Sequence, residues 1–547
     1  MKSKLCLVVW IIVAGLLWGT VAQAQTALPA VNAGFDLTGF IQVATLNAAP
    51  RPGGSAGQEG GTITINGRLI IIPDNLIVQM PASSFTWAQL FDPAVSAAVP
   101  AGFYNPARPV QPAGRTGLAL NDPGQNHFPS YEVRVVGNII TNPATGVQRY
   151  IAAMILPAAQ QGLNAQSGYI NYIDYATGRF RVGGTMGDAA SGTLCEINDP
   201  VGRFGLAHSP DPRFTCDYNN PTITTATGYP CGIPNVDSAV GSDPDRPLIN
   251  RPPNPAAGQP GNDPFLAEGA PLKRFTMNVA GPGLNCDPTK QIPLMVGDWV
   301  DFSGTLFKID PALGPGRVNT FVSVHTLTAH LGIKTAPGTN PAYVRVEEFL
   351  FGVGEAGNTG PTVAGIAQET STRVVLVAFC TDDQGNAPGT KNPYPARIEG
   401  IYNPPGGGTE QFIAFPNGNG ATNPELQMDD PVRGRIRLQL NKNENPPFNG
   451  VFVSNAAGPG NFYREYIVKL NGTRQVQLPD QAQLQPDGTP LPGLIAGQYR
   501  LPIFDYIFGE GTNFGEPWPP FNFHQFGFLK NGEGANVGPL APFPTFQ

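Results

Sequence analysis

Val296-Gly297-Asp298-Trp299-Val300-Asp301-Phe302-Ser303-Gly304-Thr305-Leu306 opens on a turn-forming Gly-Asp, then runs in an apolar-polar rhythm with a glycine in its middle. A period of two is the mark of a strand with one buried face. A glycine inside such a strand marks a sharp bend or a close backbone approach, as a small closed barrel requires. Residues 274–279 precede it with a strand signal, and 318–333 follow as a long strand or pair of strands.

The same grammar extends toward the N-terminus. Residues 62–72 read as a strand, Pro73-Asp74-Asn75 as a turn and 76–80 as a second strand. Residues 131–140 alternate, with Tyr131, Val133 and Val135 on one face and Glu132 and Arg134 on the other. Residues 148–156 turn apolar after Gln148 and Arg149, and 169–175 pairs with 179–183 across Ala176-Thr177-Gly178, Gly178 being suited to the left-handed turn position. Toward the C-terminus, 343–351, 372–379, 396–402, 411–415, 432–440, 451–453 and 463–470 are short strands at the spacing of a sandwich or open barrel.

The pattern Gly297-Asp298-x-Val300-x-x-x-Gly304-x-Leu306 resembles a strand of an OB-like five-stranded barrel. In this the chain is similar to exported bacterial OB-like β-barrel proteins of unassigned function. The resemblance implies a barrel around Trp299, and a related barrel is expected earlier, over 62–80 and 131–182. It leaves function open, because that fold serves nucleic acids, sugars and proteins alike.

The fold class expected is therefore all-β and multi-domain: one or more OB-like small barrels plus a β-sandwich or open-barrel domain, with long Pro/Gly-rich loops. The mature chain, about 520 residues, exceeds what one core fills. Its 67 glycines and 58 prolines fall in turns and loops, while 41% apolar residues leave ample surface to bury. The segments expected are a signal peptide (1–24), an N-terminal β domain (25–195), a Pro/Gly-rich excursion (196–272), an OB-like region (273–340), a second β domain (341–475) and a Gly/Pro/Phe-rich tail (476–547). The excursion is punctuated by Asp199-Pro200, Asp211-Pro212, Asn220-Pro221, Asp243-Pro244, Pro252-Pro253 and Asp263-Pro264, where regular sheet cannot propagate.

Lys2 and Lys4 precede an apolar run from Leu5 to Leu17, and Ala22-Gln23-Ala24 supplies a small-residue cleavage site. That order predicts a secretory leader, with the mature chain beginning at Gln25 and working outside the cell, at its surface or in a periplasm. The run is too short for a membrane anchor, so no transmembrane segment is expected after cleavage. The formal charge of −7 falls to −9 when the two leader lysines go, which argues against nucleic acid and anionic membranes. Cleavage also removes Cys6, leaving Cys195, Cys216, Cys231, Cys286 and Cys380. In an oxidising compartment Cys216 with Cys231 would close a short loop and Cys195 with Cys286 would tie its base. Spacing alone does not fix the pairing. Cys380, at the end of an apolar strand, reads as an inert core thiol.

Chemistry-bearing groups are sparse. There are five histidines, and His325 and His330, five apart in a strand-like segment, would face opposite ways. The chain holds no His-Glu-x-x-His, no Cys-x-x-Cys-His and no phosphate loop. Asp298, Asp301, Asp310, Glu347 and Glu348 are the carboxylates a glycan-cleaving enzyme could draw on. Alternation, however, separates Asp298 from Asp301 and Glu347 from Glu348. No cofactor is expected; calcium is the ion that Asp382-Asp383-Gln384-Gly385-Asn386 would suit, with Asp382 and Asp383 as ligands against the plainer reading of an acidic turn. Arg433, Arg435 and Arg437 align on one strand face, either to read an acidic partner or as an ordinary solvated face. Trp518, Phe521 and Phe523 lie in an aromatic tail suited to sugar stacking or self-association if exposed, and to docking the C-terminus if buried.

The function expected is that of an exported non-enzymatic β protein, structural, surface-associated or ligand-binding, with itself, a cell-surface component or a glycan as partner. The alternative is a secreted polysaccharide-acting hydrolase or lyase using paired carboxylates.

Overall fold

The computed structural model describes residues 32–50, 59–92, 114–122, 131–157, 164–217, 220–237, 240–277, 285–310, 318–336, 341–353, 374–382, 392–394, 396–404, 407–414, 426–430, 434–440, 464–470, 476–484, 490–502, 505–508, 529–530 and 536–537. The leader expected over 1–24 lies outside them. Among the described residues the only helices are three short 3-10 turns, and no helix is long and apolar enough to cross a membrane. The protein is a multi-domain all-β fold.

Five strands close the first barrel: β1 (Ala33–Leu46), β2 (Gly61–Ile65), β3 (Arg68–Ile72), β4 (Glu132–Thr141) and β5 (Gln148–Pro157). β1, β2 and β3 form an antiparallel meander, its second turn made by Asn66 and Gly67 in left-handed conformations (φ 52° and 74°). β4 lies antiparallel to β1 and β5 antiparallel to β4. The barrel then closes by parallel pairing of Ile70 with Tyr150 and Ile71 with Ile151. Inside it Ile63, Ile65, Ile70, Val133, Val135 and Ile155 are buried.

A second barrel repeats that connectivity with β6 (Gln166–Asp174), β7 (Arg179–Val182), β8 (Thr193–Ile197), β9 (Trp299–Lys308) and β10 (Thr320–Ala329). Again a meander comes first, β9 runs antiparallel to β6, β10 antiparallel to β9, and β8 closes in parallel on β10 through Cys195–Val322 to Ile197–Val324. Strands on both sides of the 196–272 excursion thus share one sheet, so the excursion is an insertion within this barrel. Gly178 takes the left-handed position (φ 70°) in the β6–β7 hairpin.

The barrels meet through aromatic side chains. Phe307 on β9 and Phe321 on β10 point away from their own barrel and join the core of the first. Tyr131 stacks on Phe214 of the excursion (4.6 Å, 17°) and meets Phe307 edge-on. The Tyr131 hydroxyl donates to Asp211 (3.4 Å), Arg213 forks onto the same carboxylate, and its Nη1 donates to the Thr116 carbonyl (2.7 Å).

Polar side chains, rather than disulfides, fasten the excursion. Asn250 Nδ2 donates to the carbonyls of Asp287, Lys290 and Gln291 while its Oδ1 accepts from the Asp287 amide. Asn254 does the same for Asp263, Leu266 and Ala267. The Arg246–Asp243 pair is fully buried. Cys195, Cys216, Cys231, Cys286 and Cys380 are free thiols, and neither Cys195–Cys286 nor Cys216–Cys231 is bonded. Cys195 sits in the second barrel's core, whereas Cys286, half-buried, donates to the Ile249 carbonyl (3.1 Å). Burial pushes the Cys286 thiol up to about 11 and the Cys195, Cys216 and Cys231 thiols well up.

Two further sheets follow. One joins Val344–Val353, Val374–Cys380, Arg435–Leu440, Leu426–Asp430, Asn392–Tyr394 and, in parallel, Asp505–Phe508. The other orders Gln411–Ala414, Ala396–Tyr402, Glu465–Leu470 and Gln498–Pro502. Parts of the C-terminal tail are therefore built into both, and the Arg500 amide donates to Asn220 of the excursion (2.5 Å).

Candidate functional site

The outer face of the second barrel is divided in two by a bulge. Between Ser303–Gly304 on β9 and Val324–Thr326 on β10 the register shifts by one residue, leaving His325 as the extra one. Gly304 is required there, because a Cβ would lie 2.2 Å from the Ser323 carbonyl oxygen. Beyond the bulge, Leu327 and Ala329 enter the core, which turns Thr326 and Thr328 outward. On one side of it the outer face is buried under the first barrel by Phe307 and Phe321. On the other side it is open.

That open half carries an aromatic and hydroxyl surface across β6, β9 and β10. Register sets Trp299 opposite Tyr169, Asp301 between Ser167 and Thr328, and Ser303 opposite Thr326. The Tyr169 and Trp299 rings meet at 89° with centroids 4.8 Å apart, and Tyr169 is 46% exposed. His330 follows β10 directly; its amide donates to the Trp299 carbonyl (2.8 Å), and its ring lies 6.3 Å from the indole. His330 Nε2 donates to Asp301 Oδ2 at 2.5 Å, both side chains about half exposed (50% and 52%). Lys273 Nζ donates to the Gly297 carbonyl (2.6 Å) and lies 5.8 Å from the Tyr169 ring.

The head of β9 is anchored from below. Asp298, buried, accepts both Arg251 Nη1 (2.7 Å) and Nη2 (2.9 Å) and the Met295 amide (2.9 Å), and Gly297 turns with φ 91°. His325 is buried under the face with Nδ1 3.0 Å from the Thr326 hydroxyl, and burial pulls its imidazole down to about 4. Arg345 of the next sheet is half-buried: desolvation lowers its guanidinium pKa, against the opposing pull of Glu347, Tyr499 and Asp301.

The residues singled out from sequence are not brought together. Arg433, Asp383, Trp518, Phe521 and Phe523 lie outside the described residues. Arg435 is half-buried and Arg437 exposed, on either side of buried Ile436. Asp382 is buried, next to Thr381, whose hydroxyl accepts the Tyr343 amide (2.9 Å). Among the described residues no three His, Cys, Asp or Glu side chains converge as a metal site would need. Of the carboxylates, Asp298 is consumed by Arg251 and Asp301 is on the open face. Glu347 and Glu348 are both exposed, contrary to simple alternation, because the strand bulges between Val346 and Glu348.

Sequence reasoning missed two arrangements. One is the Tyr169–Trp299 pair, whose only advance signal is that each aromatic occupies the polar phase of its own alternating strand. The other joins Glu410 and Glu465 on Arg500, with Lys530 3.7 Å from Glu410. Hydrogen bonds and charge from Arg500, with Lys530, hold the Glu410 carboxyl below the usual range despite its burial, the opposite of what a general acid needs.

The chain matches no family model, no curated protein and no solved structure.

Proposed function

We propose that this is an exported, non-enzymatic binding protein whose ligand lies on the open half of the second barrel's outer face. The observation that carries the reading is the Tyr169–Trp299 pair, held half-exposed beside the His330–Asp301 pair. Aromatic rings left accessible among fixed polar groups are the usual makings of a recognition surface. The support beneath them is rigid: the strand bearing Trp299 is hydrogen-bonded on both sides, and its head is fixed by the buried Arg251–Asp298 fork. The predicted leader supplies the export half of the proposal.

The test is fractionation of the producing cells, then binding of the purified mature chain to their envelope, with Trp299→Ala and Tyr169→Ala beside the wild type. Recovery outside the cytoplasm with Gln25 as first residue, and envelope binding weakened by both substitutions, is expected. Retention in the cytoplasm with residues 1–24 attached would overturn the export reading, and binding untouched by either substitution would overturn the site.

A further inference from the structure

We infer that the occupant of this face is a neutral oligosaccharide segment two to three rings long, an inference that rests on the binding role proposed above. Four observations carry it together. The first is the aromatic end: Trp299 and Tyr169 touch edge to face, so they leave no gap between them for a cation and instead offer ring surface to the apolar face of a sugar. The second is the polar remainder, which is mostly short hydroxyl side chains, Ser167, Ser303, Thr326 and Thr328, in facing register on three strands. Hydroxyl groups both donate and accept, as a sugar's do, and such short side chains lose little rotamer freedom on ordering.

The third is charge. Asp301 is already engaged by His330 and Lys273 by the Gly297 carbonyl. The side chains on the face carry charges of both signs, Asp301 and Lys273, so neither a polyanion nor a polycation meets a field of one sign there. The fourth is length. Trp299 to Ser303 spans four strand steps, roughly 13 Å at about 3.3 Å each, which is room for about two to three pyranose rings before the bulge and the first barrel end the face. The surface lies on β6, β9 and β10, the first, fourth and fifth strands of the barrel, and not on the second and third strands where OB folds take oligonucleotides and sugars.

The test is titration calorimetry of the full mature chain with three probes: oligosaccharides cut from a neutral β-glucan, polygalacturonate fragments and chitosan fragments. Trp299→Ala, Thr328→Val and, on the first barrel, Leu69→Ser accompany the wild type, each checked for an unchanged melting profile. Tyr169→Ala replaces Trp299→Ala if the latter does not fold. The expected result is binding of the neutral probe alone, with affinity unmoved between low and high salt, weakened at least tenfold by Trp299→Ala, several-fold by Thr328→Val and not by Leu69→Ser. Binding of a charged probe that Trp299→Ala abolishes would overturn the neutral class and leave the binding role standing. Loss of envelope binding by Trp299→Ala with no probe bound by the wild type, and envelope binding that survives deglycosylation, would assign the face to a protein partner instead. Binding of any probe that no substitution on the face weakens would overturn both.

Discussion

Arg251 and Asp298 form a buried two-point ion pair, Nη1 to Oδ2 at 2.7 Å and Nη2 to Oδ1 at 2.9 Å, that ties the excursion to the residue preceding Trp299. The excursion and the binding face are therefore mechanically one piece. Removing one partner leaves a charge stranded in the interior, which costs about 3–5 kcal/mol, whereas replacing both with apolar residues of similar size is close to neutral. Arg251→Ala is thus expected to lower the denaturation midpoint sharply, and Arg251→Met with Asp298→Leu to recover most of it. Chemical denaturation of the three chains measures this; equal loss in the single and double variants would contradict it.

Gly304 is the position where the second barrel tolerates no side chain. A Cβ there would lie 2.2 Å from the Ser323 carbonyl oxygen and 2.8 Å from the Val322 side chain. Because the obstacle is backbone, the strands must separate. Gly304→Ala is expected to cost about 2 kcal/mol or more, read as a lower thermal midpoint, while Gly297→Ala, in open space but at φ 91°, costs about 1 kcal/mol through backbone strain.

His325 makes stability depend on pH. Its folded pKa is about 4 because burial disfavours the charged ring, against an ordinary 6.5. Between those values the unfolded chain binds the proton that the folded chain refuses, so stability rises with pH across that window. The contribution is complete above 6.5 and fades as pH falls through it toward 4, for a total of about 3 kcal/mol. Asp243, whose carboxyl Arg246 and backbone amides hold below 3.8 in spite of desolvation, adds a further loss only below that value. Denaturant midpoints from pH 7 to pH 4 should decline in the wild type and much less in His325→Gln. A flat wild-type profile would be inconsistent with a buried neutral imidazole.

Much of the strand content was legible in the sequence, and most of the closure was not. Val300 and Phe302 declare an inward face by alternation alone, and Gly304 marks the bend. The pairing of Cys195 with Val322 that shuts the barrel leaves no local trace, because its two halves are separated by the whole excursion. Bulges defeat alternation outright: the extra residue at His325 resets the faces of Thr326 and Thr328, and the one after Val346 exposes Glu347 and Glu348 together. The site suffers from both effects, since Tyr169 and Trp299 come from strands on either side of the excursion and Thr328 lies beyond the bulge.

The thiols should be unequal in reactivity. Cys195, Cys216 and Cys231 are fully buried and burial raises their thiols well above the ordinary range, while Cys286 is only half-buried. Since the thiolate is the reactive form, alkylation of the native chain at pH 8 should be slow and should fall first on Cys286, with the four buried thiols, Cys380 among them, labelled only after unfolding. Mapping by peptide mass reads this directly, and prompt labelling of Cys195 would contradict the buried assignment.

Hydroxyl-radical footprinting with and without the neutral β-glucan fragments reads the Tyr169–Trp299 end of the second barrel at the side chains themselves. Saturating ligand is expected to slow oxidation of Trp299, Tyr169 and His330 and to leave Phe265, 86% exposed on the excursion, unchanged. Ligand bound at saturation with Trp299 and Tyr169 oxidised as fast as in the free protein would contradict the proposed site.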